Sequence, residues 1–86
     1  MRLMLYHYDS CPYCERVRSA ARTLGLVLEL RNIHESAEHL ADLRRATGRS
    51  TVPVLRIIGF GEHEEWMPES SDIVDFLRRN VDLLKR

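Results

Sequence analysis

The strongest constraint on the fold is a proline between two cysteines, Cys11-Pro12-Tyr13-Cys14, placed directly after the apolar and aromatic run Leu3 to Tyr8. Proline has no backbone N–H and is tolerated in a helix only within its first turn. The run before it is short and rich in strand formers, so it reads as a buried β-strand. The chain must therefore pass from strand to helix at Ser10-Cys11-Pro12, with Pro12 at the first helical position. Val17, Ala20, Ala21 and Leu24 then recur at helical spacing, and Gly25 ends the run as a C-cap. A cysteine thus stands at the N-terminus of a helix that follows a strand.

The rest of the chain extends this unit. Leu26 to Ile33 alternates, Leu26, Leu28 and Leu30 against Val27, Glu29 and Arg31, and reads as a second strand. Ser36 to Thr47 reads as a helix closed by Gly48, with Ala37, Leu40, Ala41 and Leu43 as its inner face. Val54 to Ile58 is a strand, Gly59-Phe60-Gly61 a turn, and Glu62 to Met67 a returning edge strand that Pro68 breaks. Ser70 or Ser71 caps a third helix carrying Ile73, Val74, Phe76, Leu77, Val81 and Leu84. The order βαβαββα predicts an α/β fold, a four-stranded mixed sheet covered by three helices.

Size and charge narrow the function. With 86 residues the chain is read as one domain over 1–86. Its 13 basic and 13 acidic residues cancel. That removes the electrostatic case for nucleic acid or a membrane surface as partner. The apolar start is too short for a signal sequence or a membrane span, so a cytoplasmic location is expected, and a monomer. Two cysteines cannot make the disulfide framework of a secreted domain.

The chemistry that the pair suits is thiol–disulfide exchange. Its attacking group is a thiolate, which the unpaired N–H groups and partial positive charge of a helix start favour. Cys11 holds that place and Cys14 follows about one turn inside, so Cys11 attacks and Cys14 resolves. The competing reading is a zinc site completed by His34 and His39, but the intervening segment carries a full helix and a strand. No metal site is therefore assigned.

At this point a family resemblance enters. Cys11-Pro12-Tyr13-Cys14 resembles the motif of dithiol glutaredoxins, and Thr51-Val52-Pro53, preceded by Gly48-Arg49, resembles their cis-proline loop. The resemblance covers nearly the whole chain and implies a thioredoxin-like fold. It also implies glutathione as co-substrate, no tightly bound cofactor, and disulfide-containing or glutathionylated proteins as partners. A cis-proline ahead of a strand turns the Val52 backbone outward, where an extended peptide could pair with it. Glu69-Ser70 departs from many glutaredoxins and resembles the N-terminal domain of glutathione transferases. Either pattern offers a helix start to a carboxylate. By this resemblance Ser70 and Ser71 hold the γ-glutamyl carboxylate, and Glu69 or Asp72 its amino group. Arg49 meets the glycyl carboxylate and Tyr13 lies along the tripeptide. Tyr8 stands where glutaredoxins often carry lysine, and Arg16 is a further cation near the pair.

The expected activity is glutathione-dependent reduction of protein disulfides and glutathione mixed disulfides. The alternatives are a truncated transferase-like domain, which would need a helical second domain for an apolar co-substrate, and a zinc or iron–sulfur binding module. A dedicated electron donor reduced by a flavoprotein is the remaining one. Tyr6 and Trp66 are expected to pack, and His7, His34, His39 and His63 have no assigned role.

Overall fold

The computed structural model describes residues 1–59 and 64–85. The strands are β1 (Arg2–His7), β2 (Glu29–Asn32), β3 (Val54–Ile58) and β4 (Glu65–Pro68). The helices are α1 (Pro12–Leu24), α2 (Ala37–Thr47), α3 (Ser70–Arg79) and the short α4 (Val81–Leu84). One sheet runs in the order β2-β1-β3-β4. β1 pairs parallel with β2, Tyr6 opposite Arg31, and antiparallel with β3, Leu5 opposite Leu55. β3 pairs antiparallel with β4, Leu55 opposite Met67. The parallel pair needs a crossover, which α1 supplies. This is the thioredoxin-like arrangement.

Paired on both edges, β1 is buried from Leu3 to His7. Its period of two divides the core between the faces of the sheet. Leu3 and Leu5 pack with Val17 and Ala21 of α1 and with Ile73, Val74 and Leu77 of α3. Met4 and Tyr6 point the other way, to Leu43 of α2, Ile33 and Val54. Two helices therefore cover one face and α2 the other. Among the described residues no helix is long and apolar enough to cross a membrane.

Several local expectations are corrected. The second strand is shorter than Leu26–Ile33: Gly25, at φ 72°, and Leu26 return their amides to Arg22 and Ala21 (3.1 and 2.9 Å), so Leu26 to Leu28 belong to the helix exit. Leu30 is 54% exposed because β2 is an edge strand with that side uncovered. In α2 the inner stripe is Leu40, Leu43 and Thr47, whereas Ala37 and Ala41 face out. Pro68 does not precede the end of the strand but forms its last pair, with Val54. An edge position leaves its missing N–H without cost. The third helix breaks at Asn80, whose amide and side chain both donate to Phe76 O (3.2 and 2.9 Å), and resumes as α4. The helices number four among the described residues, against three expected. Glu69, not Ser70 or Ser71, occupies the N-cap of α3, with no side-chain capping bond. Phe60 and Gly61 of the expected turn, and Glu62 and His63 of the expected strand, lie outside the described residues.

Candidate active site

The C-terminal end of β1 delivers Cys11 to the N-cap of α1, with Pro12 at the first helical position. An extended backbone at Cys11 (φ −80°, ψ 115°) turns its side chain back over the first turn. There Sγ accepts from the Cys14 amide at 3.4 Å, and Glu15 N donates to Cys11 O at 3.0 Å. The local rule read from Pro12 thus holds in three dimensions. Both thiols are free; Cys11 is 4% exposed and Cys14 is 0% exposed. Burial, and next the Cys11 thiol beside it, push the Cys14 thiol up to about 12.

Beside it lies an open cavity of about 660 Å3. Its walls come from five elements and their connections. Tyr13 and Arg16 enter from α1, and Thr47 and Arg49 from the end of α2. Thr51, Val52 and Pro53 lead into β3, and Glu69, Ser70 and Ser71 open α3. All eight residues expected to surround glutathione therefore line one cavity. Neither cysteine belongs to its wall; Tyr13, between them in sequence, is 56% exposed and links the two.

Each wall has a physical origin. The Val52-Pro53 peptide is cis, and Val52 lies beyond the last rung of the sheet, which ends at Val54. Thr47 Oγ1 donates to Leu43 O (2.8 Å) and accepts from Arg49 N (3.2 Å), which fixes the exit from α2. Among the described residues no carboxylate pairs with the Arg49 guanidinium. Arg16 lies 5.7 Å from the Tyr13 ring centroid, a cation–π contact. Ser70 is buried and Ser71 exposed at the first two positions of α3, a helix start that leaves its first amides without intrahelical partners and lines the cavity with both residues. Glu69 adopts φ 70° and ψ 116°, the described non-glycine residue with positive φ. Side chains rarely take that conformation, and it clusters at binding sites.

Trp66 and Pro68 also line the cavity, which sequence reasoning missed. Trp66 is packed as expected, its ring 5.0 Å from that of Tyr6 and its Nε1 donating to Glu64 at 2.7 Å. The same indole shows another side to the cavity. The missed signal was the position of Pro68, directly before Glu69-Ser70, which carries the end of β4 into the wall. Tyr8, in place of a lysine, stacks on His34 at 4.4 Å. His39 lies edge-on to Tyr6, and among the described residues no three His, Cys, Asp or Glu side chains converge as metal ligands.

Comparison with known proteins bears on the same region. The family model described as glutathione S-transferase, N-terminal domain, matches residues 5–83. Glutaredoxin 2 of Escherichia coli strain K12 is 33% identical over 76 residues, 87% of this chain and 32% of that protein. The chain thus spans about a third of the length of the curated relatives it matches. A trimeric glutathione transferase of Leishmania superposes with a TM-score of 0.74 at 27% identity, over 91% of this chain and 17% of that one. A maleylacetoacetate isomerase of Anaeromyxobacter dehalogenans 2CP-1, solved with GSH in its active site, gives 0.72 at 26% identity over 94% and 38%. The solution structure of glutaredoxin from Brucella melitensis gives 0.69 over 99% and 89%; at 23% identity that likeness is one of fold.

Proposed function

The chain belongs to the glutathione S-transferase N-terminal domain family, with a glutaredoxin motif at its helix start, and from this we propose that it is a glutathione-dependent thiol–disulfide oxidoreductase. The observation that carries the reading is Cys11 at the N-cap of α1 beside a cavity walled by Val52-Pro53 and Glu69-Ser70. Glutathione extends along Val52, its γ-glutamyl carboxylate at the amides opening α3 and its glycyl carboxylate toward Arg49. Tyr13 lies against the tripeptide, and Thr51 and Pro53 shape the wall on which Val52 is presented.

The Cys11 thiolate attacks the glutathione sulfur of a mixed disulfide. The S–S bond breaks and the target protein leaves as a thiolate that takes up a proton. A second glutathione thiolate then attacks the adduct, freeing Cys11 and oxidised glutathione. Alternatively Cys14 attacks Cys11 Sγ, forming the intramolecular disulfide and releasing glutathione.

Turnover of a glutathione mixed disulfide with glutathione and its reductase is the direct test. The expected rate exceeds that with thioredoxin reductase by at least about tenfold; a preference for thioredoxin reductase overturns the glutathione part of the reading. Glutathione conjugation is a second reading, supported by Glu69-Ser70 and the family match. Cys11 disfavours it, because a thiolate there exchanges with disulfides of glutathione, displacing the other sulfur as a thiolate, whereas conjugation needs a group that only hydrogen-bonds a free glutathione thiolate. Conjugation of an aromatic halide at the uncatalysed rate is the expected result of that assay.

Glu69 gives a sharper check. A side chain held at positive φ costs about 1–3 kcal/mol, while glycine adds about 0.4–1 kcal/mol of unfolded-state entropy. Glu69→Gly is therefore expected to raise stability by about 1 kcal/mol in urea unfolding. Loss of the carboxylate facing the glutathione amino group raises KM for the mixed disulfide about 3–10-fold. An unchanged KM removes Glu69 from the binding site.

A further inference from the structure

Behind the cysteine pair lies a half-buried cation that the exchange mechanism above does not use. Arg18 stands one turn after Cys14 on the same face of α1, and long helical side chains lean back toward the preceding turn. Its side chain is only 14% exposed. Nη1 donates to His7 Nδ1 at 3.2 Å and lies 3.7 Å from Asp9 Oδ1. Nη2 donates to Asp9 O at 3.3 Å and pairs with Glu15 Oε2 at 3.0 Å. Its Nε is buried and has no partner among the described residues. His7 is itself buried at the end of β1, on the sheet face that Leu3 and Leu5 present to α1.

Arginine has donors only, so His7 Nδ1 is the acceptor and the ring proton sits on Nε2. The contact exists while His7 is neutral. Burial, and then the Arg18 charge, hold the His7 imidazole below its ordinary range, against Asp9, Glu35 and the Tyr8 backbone, which act the other way. The groups acting on Cys14 are Cys11, the Tyr8 backbone and Arg18; of these the Tyr8 backbone favours ionisation by a hydrogen bond, and then Arg18 by its charge. Glu15 and Asp9 reach this cluster through Arg18.

We propose that Arg18 is the positioning cation against which buried Cys14 ionises in the resolving step, and that neutral His7 holds it there. Protonated His7 cannot accept from Arg18 and repels it, so resolution slows in acid more steeply than the first attack does. The proposal rests on the reading of Cys14 as the resolving thiol, and its balance is ordinary exchange. Cys14 Sγ bonds to Cys11 Sγ, the mixed disulfide breaks, and the leaving thiolate takes up a proton.

The test uses no glutathione. Reduced protein is mixed with dithiobis(nitrobenzoate) in a stopped-flow instrument. Attack by Cys11 releases one coloured nitrothiobenzoate in a bimolecular phase, and attack by Cys14 releases the second in a unimolecular phase. Losing a nearby cation raises a thiol pKa by about 1–2 units; higher nucleophilicity of the remaining thiolate recovers about half of the logarithm. Arg18→Met and His7→Leu should therefore slow the second phase about 3–10-fold while the first changes less than about twofold. His7→Gln, which offers an oxygen acceptor that does not titrate, restores the second phase.

In wild-type protein the logarithm of that phase rises with a slope of about one per pH unit at neutral pH, steepening to about 1.3–1.5 in acid while His7 protonates and the roughly 3–10-fold loss is taken. In His7→Gln the slope stays at about one throughout. A His7→Gln profile superimposable on wild type, or equal slowing of both phases by Arg18→Met, overturns the proposal. A wild-type protein with no second phase overturns the resolving role of Cys14 itself, a separate outcome.

Discussion

Cys11→Ser is expected to lower turnover of glutathione mixed disulfides by at least about a thousandfold, since a serine hydroxyl is not ionised and cannot form the adduct. Cys14 cannot substitute for it. A thiol pushed up to about 12 stays almost wholly protonated at pH 7, and Cys14 has no exposed surface to meet a substrate. Cys14→Ser should keep that turnover within about threefold, because a second glutathione can resolve the adduct. Its reduction of a protein disulfide should fall at least about tenfold, as the intramolecular route is lost. Both variants are read in the coupled assay with glutathione reductase and in insulin-disulfide reduction. Activity surviving in Cys11→Ser would reverse the assignment of roles.

Leu55→Ala should be the most destabilising of the conservative core changes. Leu55 lies on β3, between Leu5 of β1 and Met67 of β4 across the sheet, with no exposed surface. Removing a buried leucine side chain costs about 2–5 kcal/mol. A domain of 86 residues has about 4–13 kcal/mol in total. The expected fall in thermal midpoint is at least about 10 °C. Leu30→Ala serves as the contrast, because Leu30 faces solvent on the edge strand β2 and should change stability by less than about 0.5 kcal/mol. A loss at Leu30 as large as at Leu55 would contradict the exposed edge position of Leu30.

That contrast marks how far local pattern reaches. Leu30 and Leu55 both sit in apolar runs that read as strands, and their register with Leu5 puts both on the face that α1 and α3 cover. The run does not say how far toward the sheet edge that cover reaches. The same limit explains Ala37 and Ala41, which fit a helical stripe but lie outside the part of α2 that touches Tyr6 and Met4. The break at Asn80 was hidden because Val81 and Leu84 continue the apolar spacing of α3 and still pack against the core.

The helix start at Cys11 was readable from a few consecutive residues because its causes are local. Proline geometry places Pro12 in the first turn, Cys11 takes the cap, and Gly25 in the left-handed region closes the helix. The chemical identity of the site, a thiol at a helix N-terminus, follows from that stretch alone. The cavity beside it does not. Arg49, Val52, Trp66 and Ser70 meet there because β1 pairs with both β2 and β3, and three helices fold over a sheet whose strand order differs from chain order. Likewise, the rise of the Cys14 thiol depends on burial, and the bond between Arg18 and His7 joins a helix to a strand. Packing across the chain governs these, since desolvation and charge act through space rather than along the sequence.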